Sequence, residues 1–129
     1  MERPRRFFRN SLPVFAFAVA LSVPVAAGEI NSNLQIEPGQ TFDLGGGQEG
    51  GFAVKGRNTG PVAVVVMGKL PDAQPVMRGT VAPGAAVDAR FAPGEMALLR
   101  NTSGTQTARL TLKISGDTSS LGMSYSANP

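Results

Sequence analysis

Proline–glycine pairs, repeated along the chain, constrain its fold more than any other feature. Glu37-Pro38-Gly39-Gln40, Ala82-Pro83-Gly84-Ala85 and Ala92-Pro93-Gly94-Glu95 each place Pro at the second position of a turn and Gly at the third. Pro presets the φ of the second position, and Gly accepts the positive φ that a type II turn requires at the third. Gly60-Pro61, Leu70-Pro71-Asp72 and Asn101-Thr102-Ser103-Gly104 mark further breaks. Between them no segment is long enough for an ordinary helix, so the chain beyond residue 27 is predicted to be all-β.

The intervening segments alternate as half-buried strands do. In Leu34-Gln35-Ile36-Glu37 and Thr41-Phe42-Asp43-Leu44 every second residue is apolar, and Phe52 and Val54 oppose Ala53, Lys55 and Arg57. Ala108, Leu110, Leu112 and Ile114 face away from Arg109, Thr111, Lys113 and Ser115, and Val87, Ala89 and Phe91 repeat the pattern against Asp88 and Arg90. A slip of one residue in either strand would bury charges. Pro61 to Met67 is apolar on both faces, which predicts a strand buried centrally or covered on its outer side. Further strands are expected near Val76 to Val81, Met96 to Arg100 and Leu121 to Tyr125. About eight or nine short strands with tight turns predict a small antiparallel β-sandwich of immunoglobulin-like or jelly-roll type, with a small closed β-barrel as the alternative.

Residues 1–27 read as a signal peptide preceding that domain. Glu2 is outnumbered by Arg3, Arg5, Arg6 and Arg9, an apolar stretch runs from Leu12 to Val25, and Val25-Ala26-Ala27 presents the small side chains of a cleavage site. The stretch is short for a membrane span of ~20 residues and is bracketed by Pro13 and Pro24, which favours cleavage over retention as an anchor. Arg5-Arg6-Phe7-Phe8 resembles, over those few residues, the twin-arginine export signature, and the resemblance implies translocation of a folded domain. The remaining organisation is expected to be a flexible segment over 28–33, the sandwich over 34–125 and a tail over 126–129. The bias toward Ala, Gly, Pro, Val and Arg points to a bacterial source.

Charge and composition then exclude several functions. Four of the 12 basic and one of the 9 acidic residues fall before residue 28, leaving eight of each sign in the remainder. That balance, with charges scattered singly, provides no footprint for nucleic acid, and a membrane contact is expected only if the leader is retained. The chain has no cysteine, so disulfides, thiolate metal sites and a lipid-bearing cysteine are excluded. Stability must come from the core alone, which a domain of about 100 residues can supply.

With no histidine, neither a Ser-His-Asp arrangement nor a histidine-ligated metal can be built. Lys55, Lys69 and Lys113 stand in no Ser-x-x-Lys pattern. Asp43, Glu49, Asp72, Asp88, Glu95 and Asp117 show no spacing that implies convergence, and Met67, Met77, Met96 and Met123 lie in apolar strands as core fillers rather than as a thioether metal site. Tyr125 is expected to close the edge of the core. Asn101-Thr102-Ser103 matches a glycosylation acceptor by chance, and no cofactor is expected.

The one glycine cluster, Gly45, Gly46, Gly47, Gln48, Glu49, Gly50 and Gly51, lacks the Gly-Lys-Ser/Thr and following helix of a phosphate loop. It is expected to be a flexible loop, and the contact surface for a partner is expected to be this loop or an edge strand. Together these readings predict an exported, non-enzymatic sandwich, in the periplasm or at the cell surface, that binds another envelope protein or a second copy of itself, or serves as an accessory or structural subunit. The alternative is a small-ligand or carbohydrate-binding module, disfavoured because Phe42, Phe52 and Phe91 are all on core-facing positions.

Overall fold

A computed structural model describes residues 27–129; the expected signal peptide lies outside these residues but for Ala27. Among the described residues nine strands form two antiparallel sheets: β1 Ala27–Ile36, β2 Gln40–Gly45, β3 Phe52–Asn58, β4 Val64–Lys69, β5 Val76–Val81, β6 Ala86–Phe91, β7 Met96–Asn101, β8 Ala108–Asp117 and β9 Met123–Ala127. One sheet runs β1-β8-β3-β6 and the other β5-β4-β7-β2-β9. The order is nested: β1 pairs with β8, β2 with β7, β3 with β6 and β4 with β5. The two sheets face each other and do not close into a barrel, because neither β5 nor β9 pairs across to the other sheet.

The three Pro-Gly turns form as their sequences require. Gly39, Gly84 and Gly94 have φ of 76°, 81° and 78°, and Gln40, Ala85 and Glu95 each donate a backbone N–H to the carbonyl three residues earlier, at 3.1, 2.9 and 3.0 Å. Gly56 answers a different need. A β-carbon there would collide with the Thr111 carbonyl of β8, so the centre of the four-stranded sheet admits only glycine at that position.

Alternation delivers the core. Leu34, Ile36, Val54, Leu110, Leu112 and Ile114 from the four-stranded sheet meet Phe42, Leu44, Val64, Val66 and Leu99 from the other, all buried. Phe52 and Phe91, opposite each other on β3 and β6, stack at 5.1 Å. Two amides occupy inward positions at strand ends and are fully buried. Asn58 Nδ2 donates to Val62 O at 2.8 Å and Val81 O at 3.0 Å, while its Oδ1 accepts from Gly60 N at 3.0 Å. Asn101 Nδ2 donates to Ile36 O at 2.9 Å and Gln106 O at 2.8 Å, and its Oδ1 accepts from Ser103 N at 2.7 Å. Each amide thus satisfies one strand-end carbonyl and two loop groups.

The structure corrects the expected boundaries. Residues 28–33 are not a flexible lead-in but the first half of β1, paired residue by residue with β8. Their Asn- and Ser-rich composition reads as loop, yet Glu29, Asn31 and Asn33 are simply the wet face of an edge strand. Residues 126 and 127 complete β9, and Asn128 is held by its own N–H to Gly39 O and by side-chain bonds with Thr41 Oγ1 and Asn101 O. Ala53 is buried rather than wet, since its cross-strand neighbours Arg90 and Ser115 overshadow so small a side chain. The Val62–Met67 run is not buried on both faces: β4 lies next to the sheet edge, with Val64 and Val66 inward and Val65 and Met67 half-exposed.

Candidate functional site

The two outer faces of the sandwich differ in character. On the four-stranded sheet, one cross-strand row reads Asn31, Lys113, Lys55 and Asp88, with Lys113 Nζ 3.1 Å from Glu29. This is an ordinary solvated face. On the five-stranded sheet, the corresponding row reads Met77, Met67, Leu98, Asp43 and Ser124, so it is apolar from β5 to β7 and polar only toward β9.

The apolar side of that row ends at an open edge. β5 is exposed along its length except at Val81, with Val76 at 64% and Met77 at 63% exposure. It carries a single charge, Arg78. A β-bulge lies there: Val66 pairs with Gly79 and Met67 with Met77, leaving Arg78 as the extra residue. The bulge turns its guanidinium inward, 4.8 Å above the Phe91 ring, where Nη2 donates to Arg90 O at 2.6 Å and Nη1 lies 3.3 Å from Glu95 Oε2. Arg78 therefore spans the gap between the edges of the two sheets, over a groove floored by Val66, Val81, Val87 and Ala89. The opposite flank is tied shut by Tyr125, whose hydroxyl donates to Gln35 O of β1 at 2.8 Å while its ring packs on Phe42.

The glycine segment 45–51 is not a loose loop. Buried Gln48 pins it: Oε1 accepts from Gly46 N at 2.7 Å, Nε2 donates to Glu95 O at 2.9 Å, and its carbonyl accepts from Gly94 N at 2.9 Å. Gly50 N donates to Asp117 Oδ2 at 2.7 Å. Only Gly46, Gly47 and Glu49 stand fully exposed; Gly45, Gly50 and Gly51 are half-buried. Gly46 and Gly47 line a shallow depression with Lys69, Leu70, Pro71 and Met96, so this segment adjoins the tip of the β4–β5 hairpin. Leu70 there is 48% exposed.

The other residues singled out in the sequence do not converge. Asp43 accepts from Ser126, Glu95 meets Arg78, Asp117 holds Gly50, and Asp72 and Asp88 are exposed on separate elements. Among the described residues no group of three or more acidic side chains is placed to hold a metal. The methionines are not core fillers: Met77 and Met123 lie on the two edges of the five-stranded sheet and are largely exposed, and Met67 and Met96 are half-buried on its outer face. Phe42, Phe52 and Phe91 are buried, so they present no ring to a sugar. Asn101, being fully buried, is inaccessible to a glycan in the folded chain. Among the described residues no helix is long and apolar enough to cross a membrane.

No family model, no curated protein and no solved structure matches this chain. The edge of β5 and the adjoining hairpin tip are thus judged on their physical properties alone.

Proposed function

We propose that this chain is an exported, non-enzymatic β-sandwich of the bacterial cell envelope that binds a protein partner through a sheet edge, as an accessory or structural subunit. The exposed β5 edge carries this reading: Val76 and Met77 are about two-thirds exposed, and Met77 ends an apolar outer row. A sheet edge offers unpaired N–H and C=O groups to an added strand, and natural proteins usually guard such edges with outward charges or proline. β5 has no outward charge; its bulge and inward Arg78 are its only guard, so an added strand must match the bulge. The arginine-rich apolar leader supports export to the periplasm or cell surface. The nested pairing of β1 with β8 through β4 with β5 supports a jelly roll extended by β9, rather than an immunoglobulin-type sandwich.

Fractionation, intact mass and affinity capture from the envelope test the reading together. The protein is expected in the envelope fraction with a mass that begins at Gly28, retaining a stoichiometric partner that is lost on Val76→Glu. A strictly monomeric, partner-free protein in that fraction would refute it.

A further inference from the structure

The bulge in β5 determines which strand its free edge accepts. Counting faces from the pairing with β4, Val76 is inward, Met77 outward, Arg78 and Gly79 both inward, Thr80 outward and Val81 inward. An ordinary strand alternates without interruption, so laid against β5 it falls out of step at the doubled inward position. The β5 pattern, however, reads the same from either end. We propose that β5 pairs with β5 of a second copy, antiparallel about a two-fold axis between residues 78 and 79. This rests on the edge-binding reading above and names its partner.

In that register Val76 faces the partner's Val81, Met77 the partner's Thr80 and Arg78 the partner's Gly79. Every pair shares a face, and the extra residue of one bulge is matched by that of the other. Two further features fit. Nothing lies within 4 Å of where a β-carbon on Gly79 would stand, which leaves room for the partner's Arg78 beside it. The same register also brings the 71–73 turn of one copy alongside the 83–85 corner of the other. Asp72 is exposed in the first, and Arg57 sits at the second, where its Nη1 donates to Gly84 O at 2.7 Å. Neither has an ion-pair partner among the described residues. The two-fold axis supplies each with one, twice over.

Sedimentation equilibrium of the protein released from the envelope measures the dissociation constant of the dimer. Met77→Lys combined with Thr80→Lys sets lysines directly opposite each other across the axis and is expected to weaken the dimer about tenfold or more. Met77→Glu with Thr80→Glu should do the same, and mixing the two doubly substituted proteins should restore pairing as a heterodimer. Both positions are exposed, and an unchanged urea midpoint verifies that the fold survives. Asp72→Lys should weaken the dimer and Arg57→Glu, added to it, should recover it. A wild-type monomer at every concentration, a dimer indifferent to the lysine pair, or charge-opposed forms that fail to mix would each overturn the proposal. A monomer that still captures an envelope protein through Val76 would overturn self-pairing but leave edge binding standing, whereas a monomer that captures nothing would overturn both.

Discussion

Asn101→Ala removes one of the two fully buried amides that anchor the strand ends. Its two N–H groups serve Ile36 O at the end of β1 and Gln106 O ahead of β8, and its oxygen serves Ser103 N. An unsatisfied buried group costs about 1–3 kcal/mol. The Ile36 carbonyl is the buried one and carries ~2 kcal/mol of that; the other two are partly accessible to water and carry under ~1 kcal/mol each, so the substitution should cost about 3 to 4 kcal/mol. Urea unfolding followed by far-ultraviolet circular dichroism suits a chain without tryptophan. With a slope of ~1.5 kcal/mol per molar, typical of this size, the midpoint should fall by about 2 M. Thr102→Ala is the internal control: its exposed hydroxyl donates to Ala63 O, and its loss should cost under ~1 kcal/mol. Asn101→Asp keeps the acceptor but turns a carboxylate on two carbonyls. Burial raises the folded-state pKa of that introduced group above its unfolded value near ~4, so the loss should be greatest at neutral pH and shrink as the pH falls toward the unfolded value. If Asn101→Ala lowered the midpoint no more than Thr102→Ala, the amide would not be the anchor described.

Two further outcomes follow from the site. Gln48→Ala removes the side-chain bonds to Gly46 N and Glu95 O but leaves the backbone carbonyl that accepts from Gly94; it should cost about 2 kcal/mol and raise amide exchange selectively at Gly46, as measured by hydrogen exchange. Arg78→Ala removes the ring contact and the bond to Arg90 O; it should cost about 1 to 2 kcal/mol and render the β5–β6 flank more susceptible to limited proteolysis, and unchanged cleavage there would contradict its bridging role.

Sequence pattern carried most of the architecture, because turns and alternation are local properties. Three Pro-Gly turns and the strands around Phe52, Val76, Val87 and Ala108 sit where their residues imply. Local pattern failed where a polar side chain does non-local work. Asn58 follows Phe52, Val54 and Gly56 at inward spacing, and Asn101 follows Ala97 and Leu99 likewise, so their inward direction was readable but their carbonyl partners were not. Gln48 looked like part of a loose glycine loop because the groups that pin it come from residues 92–95. Which strand forms the binding edge is illegible in the sequence for a related reason. Val76 to Val81 reads as a strand, but its place at the end of a sheet, its bulge and the inward turn of Arg78 are facts of pairing, which one chain's composition does not record.

The nested strand order governs when this protein can fold. Among the described residues β1, the first strand made, has its one ladder with β8, which ends at Asp117, and only the innermost hairpin of β4 and β5 joins strands that are neighbours in the chain. Assembly must therefore proceed outward from that hairpin, closing ever longer loops, and a chain emerging amino-end first holds β1 unpaired until almost all of it has been delivered. During that interval β1 waits unpaired with Ile30, Leu34 and Ile36 on its inward face, so a chaperone that shields extended apolar strands should matter more to its yield than to its final stability.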